Sequence, residues 1–277
     1  MKIKLFSYNS LDTFVHKLSG VTKLVSFIAL TSTVMLTFDI RIISFVFVFS
    51  LILFKVAKIE FKQVKLMFYY VWGFIAINFI LTFLFAPTLG CDIYGSKHIL
   101  FTITSRYVVT TEQLFYQITK ALKYLAIVPI GMVLLLTTNP SELAASMNAI
   151  GIPYKVCTTI ALTLRYFPDV AKDYTTISLA QQARGIELSG KAKLKDRFKH
   201  IVSILTPLIF TTVDRIDVVS NAMELRGYGK KKKRSWYSYR PLKRNDYISI
   251  FVTILMLIIT ILIRIYINKG VYYNPFI

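Results

Sequence analysis

Residues 66–91 read LMFYYVWGFIAINFILTFLFAPTLGC and contain no Asp, Glu, Lys or Arg. A membrane-spanning helix needs about 20 mostly apolar residues, because each residue adds about 1.5 Å across a hydrocarbon core of about 30 Å. This stretch exceeds that length, although Pro87 interrupts it near its end. The sequence therefore predicts a helix that crosses a membrane here.

Four further apolar runs lie along the chain. They cover residues 24–38, 42–54, 124–138 and 247–263, and Lys23, Arg41 and Lys55 flank the first two. Such flanking side chains can extend a short span by reaching to the interface. Hydrophobic residues make up 55% of the 277 residues and charged residues 17%, which excludes a disordered chain. We expect an all-α, polytopic membrane protein with about five transmembrane helices.

Lys and Arg are distributed unevenly around these runs. With the N-terminus inside, 27 of them fall on the cytoplasmic side and 5 outside, and Lys120 and Lys123 lie near the start of the fourth span. Because basic residues concentrate on the cytoplasmic side, the pattern predicts an internal N-terminus and an external C-terminus. It also explains most of the net charge of +20 without a nucleic-acid partner. The basic run at 230–234 is interpreted as a contact with anionic lipid.

The chain divides into three predicted segments. Residues 1–139 carry transmembrane helices one to four, residues 140–246 form a cytoplasmic region, and residues 247–277 form the last transmembrane helix and a short external tail. The cytoplasmic region begins with Asn139-Pro140-Ser141-Glu142, where Glu142 is expected to return to the cap N–H.

Two long helices are predicted in the cytoplasmic region. One runs from about residue 154 to 183, and the other follows a basic linker at 191–200. Apolar residues three or four apart predict one buried stripe on each helix, and Pro168 and Pro207 interrupt the two patterns in similar places.

The two long helices end in matching sequences. Residues 177–186 (ISLAQQARGI) align without gaps on residues 219–228 (VSNAMELRGY), offset by 42 positions. Arg184 and Arg226 are identical in the alignment, as are Gly185 and Gly227. A Gly after the last turn suits a left-handed helix end, and one such end would be an ordinary cap. Two matched ends favour a functional pair.

The ordered set of motifs resembles the transmembrane T component of energy-coupling factor (ECF) transporters, the EcfT/CbiQ-like family, over most of the chain. It comprises TNPSEL at 138–143, GIP at 151–153, LRYFP at 164–168, ARG at 183–185 and AMELRGY at 222–228. The resemblance implies that the two long helices are coupling helices. It further implies ATPase-coupling roles for Ala183, Arg184, Gly185, Leu225, Arg226 and Gly227. Leu225 departs from the family pattern, in which Ala is usual.

The same resemblance implies partners and a location. Two ABC-type ATPase subunits, identical or different, would each receive one helix end, and a membrane-embedded S component would capture a vitamin or a transition-metal ion. The chain would act in the bacterial cytoplasmic membrane as a non-catalytic subunit without a cofactor of its own, since the ATPases bind ATP. Residues 185–192 are a near miss for a phosphate loop, because Ala192 stands where Ser or Thr would bind Mg²⁺.

Two alternatives remain open at this point. One is an integral membrane enzyme, whose candidate groups are the carboxylates Asp169, Asp173, Asp214, Asp217 and Glu224. Asp214 and Asp217 lie three apart on one helix face and could share a metal, although Arg215 beside them favours an ion-paired surface. The other is a conventional ABC permease that binds its own substrate. That reading would call for ionisable groups inside the spans, and Lys120 and Lys123 at the end of one span are the only candidates.

Overall fold

The computed structural model describes residues 13–102, 107–185, 194–230 and 235–276. Over these ranges the chain is mostly helical, with two short strands, which confirms the all-α prediction. The helices are α1 (Phe14–Lys17), α2 (Gly20–Leu36), α3 (Ile40–Val56), α4 (Phe61–Phe85), α5 (Leu89–Tyr94), α6 (Thr111–Thr137), α7 (Pro140–Ala149), α8 (Tyr154–Ala183), α9 (Leu194–Leu225) and α10 (Arg244–Leu262). A π-helical turn, Ile263–Ile267, continues α10, and strands β1 (Ile99–Thr102) and β2 (Val108–Thr110) form an antiparallel hairpin.

Among the described residues, three helical stretches are long and apolar enough to cross a membrane. They are Val64–Phe85, Thr111–Thr137 and Arg244–Ile267, and they overlap the third, fourth and fifth predicted spans. Helices α2 and α3 are also apolar but have 17 residues each, or roughly 26 Å at about 1.5 Å per residue. Their crossing of the membrane stays a prediction.

Two predicted boundaries are wrong. The third span ends at Phe85 rather than continuing to residue 91, because Pro87 disfavours helical backbone at Ala86, where φ is −138° and ψ is 67°. The fourth helix begins at Thr111, 13 residues before the predicted start at 124. Lys120 and Lys123 therefore lie inside the helix and not at its end. The early turns of α6 are polar in sequence, but many of their side chains are buried against other parts of the protein.

The chain forms two compact units. The first contains residues 1–146 and 239–277, and the second contains residues 147–238. The core of the first unit lies where α2, α3 and α6 meet, and α10 packs along α2. Its central cluster of buried apolar side chains comprises Leu30, Val34, Ile43, Val46, Ala126 and Ile130.

Polar contacts join the start of α2 to the starts of α7 and α10. Asp246 in the first turn of α10 accepts hydrogen bonds from Ser19 N and Thr22 Oγ1, both 2.8 Å long. Glu142 does not return to its own cap as predicted; its Oε1 accepts from Gly20 N at 2.8 Å. A Cβ at Gly20 would lie 2.4 Å from Ser146 Oγ and 2.7 Å from Glu142 Cγ, so this close approach requires glycine.

The second unit is an antiparallel helix pair. Arg215 of α9 donates to Asp173 of α8 at 2.6 Å, and Gln181 of α8 donates to the carbonyl of Ser203 at 3.1 Å. Residue numbers thus rise along α8 while they fall along α9. Helix α8 has the predicted bounds, whereas α9 begins at Leu194, within the predicted linker 191–200.

The prediction of one buried apolar stripe on each of α8 and α9 is wrong. Cys157 is the buried residue of α8, and Ile204 is buried on α9 among its described side chains. Phe167, a member of the α8 stripe, is 68% exposed. Two paired helices cover each other along one seam only, so the remaining apolar face has no cover within the described part of this unit.

Candidate functional site

The end of α8 is built as the sequence predicts. Ala183 is its last helical residue, and Arg184 N donates to the carbonyls of Ala180 and Gln181 at 3.2 and 3.1 Å. Gly185 follows with φ of +85°, a left-handed conformation that non-glycine residues adopt only at a cost. Ala183, Arg184 and Gly185 are all exposed.

The end of α9 repeats this geometry. Arg226 N donates to the carbonyl of Ala222 at 3.3 Å, and Gly227 follows with φ of +69°. Tyr228 N then donates to the carbonyl of Met223 at 2.9 Å, which closes the helix end in the manner of a Schellman motif. The repeat of sequence is therefore also a repeat of backbone structure.

Leu225 is 90% exposed at the α9 end, immediately before Arg226. A large apolar side chain in this position contributes favourable burial free energy only when another surface covers it. The resemblance marked Leu225 only as a departure from a family pattern, and its exposure was not predicted. The available signal was its place in the last turn of α9, where few residues of the same helix follow to cover it.

The two Arg-Gly ends lie at opposite ends of the helix pair. Because α8 and α9 are antiparallel and Gln181 contacts Ser203, the Arg184 end lies beside the early part of α9. From Ser203 to Leu225 the axis of α9 rises roughly 33 Å at about 1.5 Å per residue. One groove on one partner could not accept both ends.

The carboxylates considered for an enzyme do not form a group of three metal-ligating side chains in the described part of the chain. Asp173 is paired with Arg215, while Asp169, Asp214, Asp217 and Glu224 are exposed. The near miss for a phosphate loop lies outside the described residues except for Gly185, and the basic run at 230–234 does so except for Lys230.

Comparison with known proteins places this arrangement in a family. A family model described as cobalt transport protein, CbiQ, matches residues 12–236, most of the chain. The chain belongs to this family. The CbiQ-type match contains both Arg-Gly ends and all the apolar helices except α10.

Curated relatives cover nearly the whole of this CbiQ-family chain. The energy-coupling factor transporter transmembrane protein EcfT of Staphylococcus aureus is 28% identical over 95% of this chain and 98% of the relative. Proteins of the same name from Clostridium kluyveri and Lactococcus lactis are 27% and 25% identical, over 93% and 91% of this chain and 95% and 94% of the relatives. The resemblance to the T component of ECF transporters is confirmed, and the chain is a transmembrane transport component of that type.

Proposed function

We propose that this chain is the non-catalytic coupling subunit of an ECF-type importer, in which Arg184 and Arg226 each bind one of two ABC-type ATPase subunits. The observation that carries the proposal is the matched pair of Arg-Gly helix ends with exposed Arg184 and Arg226, one at each end of an antiparallel helix pair. The relatives' names, which describe energy-coupling transporter membrane proteins, support it.

The chemistry of each end fits a groove on a partner. A guanidinium group presents a planar fork that pairs bidentately with a carboxylate, and such charge-assisted bonds are strong and directional. Ala183 and Gly185 flank Arg184 with minimal bulk, so a narrow groove can receive that end. At the other end Leu225 adds an apolar side chain that a groove would bury.

The helix pair can carry motion between such partners and the membrane. When two ATPases close on ATP, the helix ends bound to them move together, and paired long helices transmit such a shift by hinge or shear displacement. A membrane-embedded S component, which binds a vitamin or a transition-metal ion, would reorient in response. The chain itself then needs neither a cofactor nor bound ATP. It would lie in the bacterial cytoplasmic membrane with its N-terminus inside and its C-terminus outside.

Replacement of both arginines tests the proposal. In vesicles containing the complete transporter, Arg184→Ala with Arg226→Ala should reduce substrate uptake to background and should weaken retention of the ATPases on purification. Arg184→Lys with Arg226→Lys keeps both charges but removes the planar fork, so we expect an intermediate loss.

The control removes a charge elsewhere on the same unit. Lys172 is exposed on α8, away from both Arg-Gly ends, and Lys172→Ala should leave uptake near the level of the unmodified protein. Full uptake by the double arginine variant, or an equal loss in the lysine control, would overturn the assignment.

A further inference from the structure

Two adjoining cavities lie where α10 begins, in the first unit (residues 1–146 and 239–277), called the membrane unit from here on. The first has a volume of about 690 Å³ and is lined by α1, the residues before α2 and the residues before and at the start of α10. The second, of about 310 Å³, lies deeper among α2, α3, α6 and α10. Phe14 and Leu18 line both cavities, so the two share a wall.

The first cavity has a net basic lining. Lys17, Arg240 and Lys243 line it, and Asp246 is its one acidic lining residue. Asp246 is buried and already accepts hydrogen bonds from Ser19 N, Thr22 Oγ1 and Lys243 N. Asp246 and Glu142, which lies behind the lining at 3.8 Å from Arg240 Nε, together offset two of the three positive charges, so the net charge stays positive.

Arg240 is held in place within this cavity. Its Nη1 donates to the carbonyl of His16 at 3.3 Å, and its Nε lies 3.8 Å from Glu142 Oε1. The side chain nevertheless remains 49% exposed. A positioned, half-exposed guanidinium group is the side chain that proteins use most for bidentate contact with phosphate.

The second cavity is apolar. Its lining is mostly Leu, Ile, Val and Phe side chains of the four helices, for example Leu30, Phe49 and Val252. Of its polar lining groups, Lys23 Nζ donates to the carbonyl of Thr137 at 2.7 Å, and Thr253 Oγ1 has the carbonyls of Ser249 and Ile250 as acceptors, each at 3.1 Å. Those groups are thus satisfied by the protein, and the cavity suits a hydrocarbon chain.

We propose that these two cavities together bind one anionic phospholipid, with its phosphate among Lys17, Arg240 and Lys243 and an acyl chain in the apolar cavity. The basic cavity lies where α2 and α10 begin, which is the depth of the lipid headgroups when these helices lie in a bilayer. Basic pockets between membrane helices bind anionic headgroups in this way. A soluble phosphate would use the first cavity alone, whereas a phospholipid uses both.

Lipid retention by the full chain tests the proposal. The chain is placed in nanodiscs with equal amounts of phosphatidylglycerol and phosphatidylcholine, transferred to mild detergent, and weighed intact by native mass spectrometry. We expect one retained phosphatidylglycerol per chain. Lys17→Gln with Lys243→Gln should lower the preference of the protein for phosphatidylglycerol over phosphatidylcholine by about fivefold for each lysine removed.

Matched variants distinguish binding of the lipid headgroup from binding of its acyl chain. Lys155→Gln with Lys172→Gln removes two charges outside the cavities and should change nothing. Val252→Phe fills the apolar cavity and should reduce retention of both lipids, whereas Ile254→Phe, on α10 but outside the cavity lining, should not. If the double lysine variant does not fold, the single Lys243→Gln variant gives the same test, because the backbone N–H of Lys243, not its side chain, binds Asp246.

Two outcomes would overturn the proposal. Equal phosphatidylglycerol retention by the unmodified chain and the folded lysine variants would show that the basic cavity does not hold the headgroup. Protection of the chain against thermal unfolding by inorganic phosphate, with no selective lipid retention, would assign the cavity to a soluble anion instead.

Discussion

Asp39, between α2 and α3, joins two distant parts of the membrane unit through its carboxylate. The oxygens of Asp39 accept hydrogen bonds from Arg41 Nε at 3.0 Å, Arg41 Nη2 at 2.8 Å and Asn268 Nδ2 at 3.0 Å. Burial acts to raise the pKa of Asp39, but these bonds outweigh it and hold the pKa below its usual range. The ionised carboxylate therefore anchors the segment after α10 to the start of α3.

This anchor predicts a pH-dependent contribution to stability. Because the pKa of Asp39 is lower in the folded chain, its contribution is complete above the ordinary Asp pKa of about 3.9 and is lost as the pH falls through the folded value. Asp39→Asn should lower the free energy of unfolding at pH 7 by about 1–3 kcal/mol. The difference in the free energy of unfolding between Asp39→Asn and the unmodified chain should narrow below about pH 4.

Thermal unfolding in detergent across the pH range measures this difference. Asp92→Asn is the control, since Asp92 is exposed on α5, and it should leave the midpoint unchanged at pH 7. A constant gap between Asp39→Asn and the unmodified chain from pH 7 to pH 3 would contradict the assignment of the carboxylate as the ionised partner.

Buried lysines show what the sequence could not reveal at the residue scale. Lys23 and Lys123 were interpreted as flanking charges near span ends, yet both are buried. Lys123 Nζ donates to the carbonyls of Met35 and Thr37 at 3.0 and 3.3 Å and lies 3.8 Å from the ring centroid of Phe38. The last carbonyls of α2 have no helical donors, so the ammonium group compensates for them. These contacts join residues far apart in sequence, and no local pattern predicts them.

At the scale of elements, helix ends with a local stop signal were predicted well. The bounds of α8 follow from Pro153 before its first residue and Gly185 after its end, and both signals act through the backbone of the residue itself. The start of α6 was missed because its first residues are polar, so the apolar run begins only later in the helix. They are compatible with the helix because the protein, rather than lipid, covers them.

Gly185 provides a test at the element scale. Gly185→Ala places a Cβ on a residue with φ of +85°, which should cost about 1 kcal/mol and shift the capped helix end toward fraying by about fivefold. If a formed end is needed to present Arg184, uptake by the complete transporter should fall in parallel. Hydrogen exchange at the last turn of α8 measures the fraying directly.

Two variants separate backbone strain from side-chain volume. Gly185→Asn should restore most of the uptake, because Asn tolerates the left-handed region. Gly73→Ala places a Cβ within α4, where no atom lies within 4 Å, and should be neutral or slightly stabilising. Equal exchange rates in Gly185→Ala and the unmodified chain would show that the left-handed residue does not hold the end of α8.

At the scale of the whole molecule, the distribution of basic residues predicts the orientation in the membrane. The two-unit division supplies a natural pair of probe sites, because Lys195 lies in the unit of residues 147–238 and Ser96 in the other unit. Since 27 Lys and Arg would otherwise have to be translocated, we expect Lys195 in the cytoplasm and Ser96 outside.

Single-cysteine labelling in intact cells tests this orientation. Cys91 and Cys157 are first replaced by Ala, and a cysteine is then introduced by Ser96→Cys or Lys195→Cys. A membrane-impermeant maleimide should label the Ser96→Cys chain in intact cells but the Lys195→Cys chain only after the cells are permeabilised. Labelling of both variants after permeabilisation shows that both thiols are reactive. The difference in labelling between the two variants in intact cells then reports which side of the membrane each thiol is on. The reverse pattern would put the Arg184 and Arg226 ends outside, where no ATP-driven partner could bind them, and the proposed coupling would fail with the orientation.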